Sequence, residues 1–128
     1  TNPSNFRINP KNIFRKSYFF DLKNEKKLKS VINKIKPDFI FHLAAQALVN
    51  KSYHDPYSTF ISNSIGTLNL LNSLKNIELK KKCSIILITS DKSYKNREIN
   101  KGYTEEDLLG GHDPYSASKA CAELIIKS

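Results

Sequence analysis

Two runs of residues limit what this chain can become. Phe39-Ile40-Phe41-His42-Leu43 and Ile85-Ile86-Leu87-Ile88-Thr89 are apolar at odd and even positions alike. Successive side chains of a strand point to opposite faces, so a run without alternation is expected to be buried on both. That calls for a parallel sheet covered by helices, and the sequence between the runs supplies helices. Leu28, Val31, Ile32 and Ile35 recur at helical spacing and predict a helix from about Glu25 to Lys36, ended by Pro37. Asp55-Pro56 opens a second helix that runs to about Lys75. The aspartate can cap it, and the missing N–H of proline would be unpaired in a first turn anyway. Tyr57, Phe60, Ile61, Ser64, Ile65, Leu68 and Leu71 form its expected main face, widened by Leu70 and Leu74. Gly66, about 1 kcal/mol worse than alanine in mid-helix, is expected to mark close approach to a neighbour. Asp113-Pro114 opens a third helix that continues to Ser128.

Ser17-Tyr18-Phe19-Phe20 reads as a further short strand ending at Asp21. Thr1 to Lys16 and the polar stretch Ser93 to His112 read as loops. Strand, helix, strand, helix, strand, helix describes an α/β domain on a parallel sheet.

The bulk composition excludes several classes. No apolar run approaches the ~20 residues of a membrane span, and Thr1 to Arg15 has no apolar core of a signal peptide. Cys83 and Cys121 have no metal or redox spacing and read as free thiols in a reducing cytoplasm. His42 lies mid-strand and reads as a packed core histidine. His54 and His112 have no partner spacing that would make a metal site. The net charge is +9. Its lysines (Lys23, Lys26, Lys27, Lys29, Lys34, Lys36) are spread along a helix and its flanks, and only Lys80-Lys81-Lys82 forms a run. A solvated basic surface is expected rather than a nucleic-acid patch, and such a surface helps attract an anionic nucleotide.

In open parallel sheets ligands bind beyond the carboxyl ends of the strands. Asp21, Ala44-Ala45-Gln46 and Ser90-Asp91-Lys92 fall at such ends. The chemistry points the same way. Tyr115 and Lys119 lie four residues apart at the start of the last helix, on one face. A free tyrosine ionises near pH ~10, and a nearby ammonium favours the phenolate. A tyrosine tuned in this way can take a proton from a sugar hydroxyl while hydride leaves the carbon.

These residues resemble the extended short-chain dehydrogenase/reductase superfamily of NAD-dependent epimerases and dehydratases. Within it the chain is most similar to the sugar-nucleotide 4,6-dehydratases that act on CDP-glucose. The matching pieces are Thr1-Asn2-Pro3-Ser4, His42 to Gln46, Asn63 to Leu71, Thr89 to Tyr94, and Gly110 to Lys119, which together span almost the whole chain. The resemblance implies a Rossmann-like, doubly wound fold and an NAD cofactor. It implies that Tyr115 removes the C4 hydroxyl proton as hydride passes to NAD, and that Lys119 tunes Tyr115 and holds the nicotinamide ribose. Ser90 then steadies the C4 oxygen, and Asp91 protonates the C6 hydroxyl that leaves as water. The resemblance also implies that Asp21 contacts the adenine with Leu22 beside it, that Leu43, Ala44, Ala45 and Gln46 pass over the cofactor, and that Asn63 hydrogen-bonds near the site. Lys92 stands where many 4,6-dehydratases have glutamate. A charged ammonium cannot accept a proton, so Lys92 is either neutral through burial beside another cation or is not the C5 base. The resemblance further implies a homodimer through a four-helix bundle of the 56–75 and 114–128 helices.

No G-x-G-x-x-G turn occurs, although such a turn after the first strand holds the pyrophosphate in these folds. The expectation is an incomplete NAD-binding domain over 1–128: three strands, the third to fifth of the order 3-2-1-4-5, with the first two strands and a C-terminal substrate domain absent. Two other readings remain open. One is an epimerase or reductase using the same Tyr115 and Lys119. The other is a basic, non-enzymatic binding domain.

Overall fold

The computed structural model describes residues 16–75, 77 and 82–128. The expected loop from Thr1 therefore lies outside the described residues except for Lys16, as do Thr1-Asn2-Pro3-Ser4 and Lys80-Lys81. The elements in order are α1 (Glu25–Ile35), β1 (Phe39–His42), α2 (Val49–His54), α3 (Pro56–Phe60), a π-helical segment (Ile61–Ile65), α4 (Gly66–Leu74), β2 (Ser84–Leu87), a 3-10 turn (Asp91–Ser93) and α5 (Pro114–Lys127).

β1 and β2 pair in parallel, with Phe39 opposite Ser84 and His42 opposite Leu87. The ladder continues past the strands, where Ile88 N–H donates to the His42 carbonyl at 3.1 Å. The two apolar runs are thus neighbours, as the strand order required. One face of the pair is covered: Ile40 and Leu87 pack onto the core cluster of Leu28, Ile32 and Leu70, which comes from α1 and α4. The opposite face is bare, with Phe39 64%, Phe41 61% and Leu43 69% exposed. Burial on both faces, expected from the lack of alternation, is therefore realised on one face among the described residues.

Ser17–Phe20 is a second correction, because it forms no strand. An extended segment gains its ladder only from a neighbour, and among the described residues β1 is paired only with β2. Phe20 and Leu22 instead anchor this segment by packing on the Leu28–Ile32–Leu70 cluster, while Phe19 is exposed.

The helix starts follow the capping chemistry. Asp55 Oδ1 accepts from Ser58 N–H at 3.0 Å, and Asp113 Oδ1 accepts from Ser116 N–H at 3.0 Å. Asn24 caps α1 by accepting from Lys27 N–H. α1 ends where Lys36 turns left-handed (φ 48°) and its N–H closes on the Ile32 carbonyl, with Pro37 next.

The run from Pro56 to Leu74 buries a different face from the one its apolar residues predict. Thr59, Asn63, Ser64, Thr67, Leu70 and Ser73 are buried, whereas Tyr57, Ile65 and Leu68 are exposed. The inner stripe is small and polar because it sits against other backbone and spends its hydrogen bonds there. Ser64 Oγ donates to the Ser118 carbonyl and Ser73 Oγ to the Glu25 carbonyl, while Thr67 Oγ1 bonds back within its own helix to the Asn63 carbonyl. Gly66 is buried, but a Cβ there would meet Leu22 at 3.6 Å, an ordinary contact. The close approach expected at Gly66 occurs instead at Gly111, where a Cβ would stand 2.4 Å from Ala117 N and 2.5 Å from Ser116 C. That contact lets the chain before α5 lie directly on the first turn of the helix.

His42 is buried beneath this arrangement, its Nε2 3.1 Å from Thr67 Oγ1. Burial lowers its pKa, and the Lys119 ammonium lowers it further.

Two predictions follow from these contacts. Gly111→Ala drives a methyl group into helix backbone and is expected to cost about 1–3 kcal/mol in denaturant unfolding. Gly102→Ala, with nothing within 4 Å, should stay within about 0.5 kcal/mol. His42 is kept neutral in the fold while the unfolded chain protonates near pH ~6.5. Its contribution is therefore present above that pH and is lost as pH falls through and below it. The unfolding midpoint should decline from about pH 6.5 toward 5, and His42→Asn should flatten that limb. The carboxyls of Asp55, Asp107 and Asp113, which are held low, act only below pH ~4.

Candidate active site

β2 is followed by Ile88, Thr89 and Ser90, and there the chain turns. Ser90 starts the 3-10 turn: its Oγ accepts from Lys92 N–H at 3.2 Å and lies 3.1 Å from Asp91 Oδ1, to which it can donate. Ser93, fully buried, donates its hydroxyl to the Ser90 carbonyl at 2.6 Å and fixes the turn from behind. The turn packs against α5, so Ser90, Asp91 and Lys92 stand beside the helix that carries Tyr115 and Lys119. Two α5 side chains grip the strand end. Lys119 Nζ donates to the Ile88 carbonyl at 3.3 Å, and Thr89 Oγ1 donates to Glu123 Oε1 at 2.5 Å. Lys119 is 6% exposed, and burial lowers its pKa.

Asp91 and Lys92 are exposed. Burial pushes the Asp113 carboxyl up, but the hydrogen bonds from Ser116 and the charge of Lys92 outweigh it and hold the pKa below the usual range. Lys92 is therefore not buried, and its charge acts on the Asp113 carboxyl.

Asn63 lies behind the site. It is 1% exposed, and its amide is engaged on every side. Oδ1 accepts from Gln46 N–H at 2.8 Å, while Nδ2 donates to the Gln46 carbonyl at 3.0 Å and to Ser118 Oγ at 2.9 Å. With those bonds made it has no donor left for a ligand. It sits in the π-helical segment, a feature common at functional sites. The widened turn lets Asn63 and Ser64, adjacent in sequence, both reach Ser118. Gln46 also faces inward, donating from Nε2 to Thr59 Oγ1 and to the Leu48 carbonyl. Leu43 and Ala44 leave β1 exposed. Asp21 lies on an exposed turn before α1, where its Oδ1 accepts from Lys23 N–H, and Leu22 is drawn into the core.

The donor set fits the nicotinamide half of a dinucleotide. A lysine ammonium has three donors, and among the described residues the buried Lys119 makes one bond, to the Ile88 carbonyl. Nothing in the sequence matches the glycine turn of the pyrophosphate half.

Three features carry no clear sequence signal. α2 is too short to show periodicity. Its Ser52, fully buried, accepts from Tyr115 N–H at 3.1 Å. The stretch expected as a plain loop folds back on itself instead. Tyr94 bridges Leu109, Lys95 N–H donates to the Leu108 carbonyl, and the Tyr94 and Tyr103 rings stack 5.8 Å apart. Tyr94, Asn96 and Tyr103 wall a cavity of about 380 Å³ whose other side includes Asp91, Lys92 and Asp113.

Comparison with known proteins gives this geometry its family. The model of the GDP-mannose 4,6 dehydratase family matches residues 2–128. A CDP-glucose 4,6-dehydratase of Salmonella typhimurium is 44% identical, over 98% of this chain and 34% of its own length. A UDP-glucose 4-epimerase of Mycoplasma genitalium is 36% identical, over 87% of this chain and 33% of its own. Among solved structures, DesIV of Streptomyces venezuelae, a dTDP-glucose 4,6-dehydratase with NAD bound, superposes with a TM-score of 0.70 at 26% identity, covering 83% of this chain and 31% of that one. The chain spans about a third of the length of the curated relatives it matches. With a parallel α/β pair, a serine-aspartate turn at its carboxyl end and the Tyr115–Lys119 helix beside it, the chain belongs to the GDP-mannose 4,6 dehydratase family of the short-chain-dehydrogenase-type epimerases and dehydratases.

Proposed function

We propose that these residues form the catalytic edge of an NAD-dependent sugar-nucleotide 4,6-dehydratase that converts CDP-glucose to CDP-4-keto-6-deoxyglucose. The observation that carries the reading is the packing of the Ser90-Asp91-Lys92 turn against the helix of Tyr115 and Lys119. NAD, when bound, supplies a hydride acceptor for C4 and a hydride donor for C6. Tyr115 takes the C4 hydroxyl proton, Ser90 steadies the C4 oxygen, and Asp91 gives a proton to the C6 hydroxyl as it leaves. Lys119 holds the nicotinamide ribose with its remaining donors. The C5 proton lost with the water passes to a basic group other than Lys92, which is exposed and lacks the burial a lysine base needs. An epimerase shares Tyr115 and Lys119 but has no use for an acid at Asp91.

The reading takes this chain as part of a longer cytoplasmic enzyme. The rest supplies the glycine turn, the two central strands and a substrate domain, and it covers the bare face of Phe39, Phe41 and Leu43. The exposed stripe of Tyr57, Ile65 and Leu68, with Leu124 on α5, is the apolar surface a homodimer would bury in a four-helix bundle.

In the complete gene product, Tyr115→Phe should lower turnover by about 10²–10⁴-fold, the range for loss of a positioned base, with NAD binding retained. Asp91→Asn should lower water loss on a similar order while hydride exchange at C4 persists. Steady-state kinetics and isotope exchange read both. Near-normal turnover in Tyr115→Phe contradicts the assigned base, and loss of C4 exchange in Asp91→Asn contradicts the assigned acid.

A further inference from the structure

Ser52 has no part in the chemistry described so far, yet it touches the candidate base directly. It is 0% exposed, within the short helix α2. Its hydroxyl has one proton, which goes to the Val49 carbonyl at 2.6 Å. With the proton committed, the oxygen presents lone pairs to Tyr115 N–H, 3.1 Å away and 63 residues on in sequence. The first N–H groups of a helix have no partner inside it. Asp113 already caps α5 through Ser116 N–H and the Ser116 hydroxyl. The Asp113 carboxyl also draws on the Tyr115 N–H, but the hydrogen bond that N–H makes runs to a buried side chain from another element.

That element is tied to the loop leaving β1. Leu48, the residue before α2, donates its N–H to Gln46 Oε1 at 2.7 Å, and Gln46 is bound on both backbone groups by Asn63. Asn63 in turn reaches Ser118 Oγ, which donates to the Tyr115 carbonyl at 2.7 Å. The N–H and C=O of Tyr115 are therefore both held by one connected set of side chains, which also holds the loop at the end of β1.

We propose that Ser52 is a positioning residue for Tyr115, fixing the tyrosine backbone so that the phenol stands at one place relative to the strand ends. The proposal rests on the reading of Tyr115 as the base. Small displacements of a reacting group cost rate without weakening binding, so the loss on removing Ser52 falls on kcat and spares KM.

The test is a double-mutant cycle in the complete gene product with NAD and CDP-glucose. Ser52→Ala should lower kcat about tenfold or more, with KM and NAD affinity changed less than about twofold. In a Tyr115→Phe background, where no base remains to be misplaced, Ser52→Ala should add little further loss. An equal loss in both backgrounds, or a loss confined to KM, overturns the proposal. Amide hydrogen exchange of the wild-type protein gives a readout that needs no variant. The Tyr115 amide should be protected like those of the helix interior, and exchange as fast as an open helix start overturns the proposal. If Tyr115→Phe alone keeps its activity, the base assignment fails, and the positioning role falls with it. If Tyr115→Phe is inactive while Ser52→Ala retains full kcat, only the positioning role fails.

Discussion

The amide of Asn63 is the interaction on which the rest depends. One buried side chain binds the backbone of Gln46 on both its N–H and C=O and the hydroxyl of Ser118. It thereby fastens the exit of β1 to the helix of Tyr115 and Lys119. Each group left without a partner in such a place costs about 1–3 kcal/mol, so the three bonds act as one unit. The π-helical widening at Ile61–Ile65 and the small inner stripe of Thr59, Ser64, Thr67 and Ser73 follow from it. Larger side chains would hold the helices apart and break the contacts with Ser118.

The same contacts explain what the amino-acid sequence made legible. Caps and breakers act locally, so Asp55-Pro56, Asp113-Pro114 and Pro37 marked helix limits without reference to anything distant. The two apolar runs identified a parallel pair because unbroken apolarity has few other uses in strands. The helix over Pro56–Leu74 was found, but its buried face was read from apolar spacing, whereas the true inner face is polar and satisfied by distant backbone. Such satisfaction spans 17 residues for Asn63 with Gln46 and 55 for Asn63 with Ser118, and no window along the chain detects it. α2, the fold of the 94–109 stretch and the role of Ser52 were hidden for the same reason. Ser17–Phe20 had strand composition but no neighbour to pair with.

At the site, residue type and position along the chain brought Ser90, Asp91, Tyr115 and Lys119 to attention, and packing places their elements together. Lys92 was the open question in the sequence, and its surroundings narrow it. Lys92 is exposed beside the Asp113 carboxylate, whereas a lysine base needs burial or a neighbouring cation. The cavity walled by Tyr94, Asn96 and Tyr103 shares Asp91 and Lys92 with the candidate site. The long polar stretch is therefore part of the site's architecture rather than a tether between elements.

The central claim is that this family member removes water from a nucleotide hexose rather than inverting or reducing it. Mass spectrometry of the product formed by the complete enzyme from CDP-glucose and NAD tests that claim most directly. A product lighter than the substrate by one water, with no net consumption of NAD, is expected. A product of unchanged mass means epimerisation and contradicts the role given to Asp91, and a product lighter by two hydrogens with net reduction of NAD contradicts the dehydratase reading altogether.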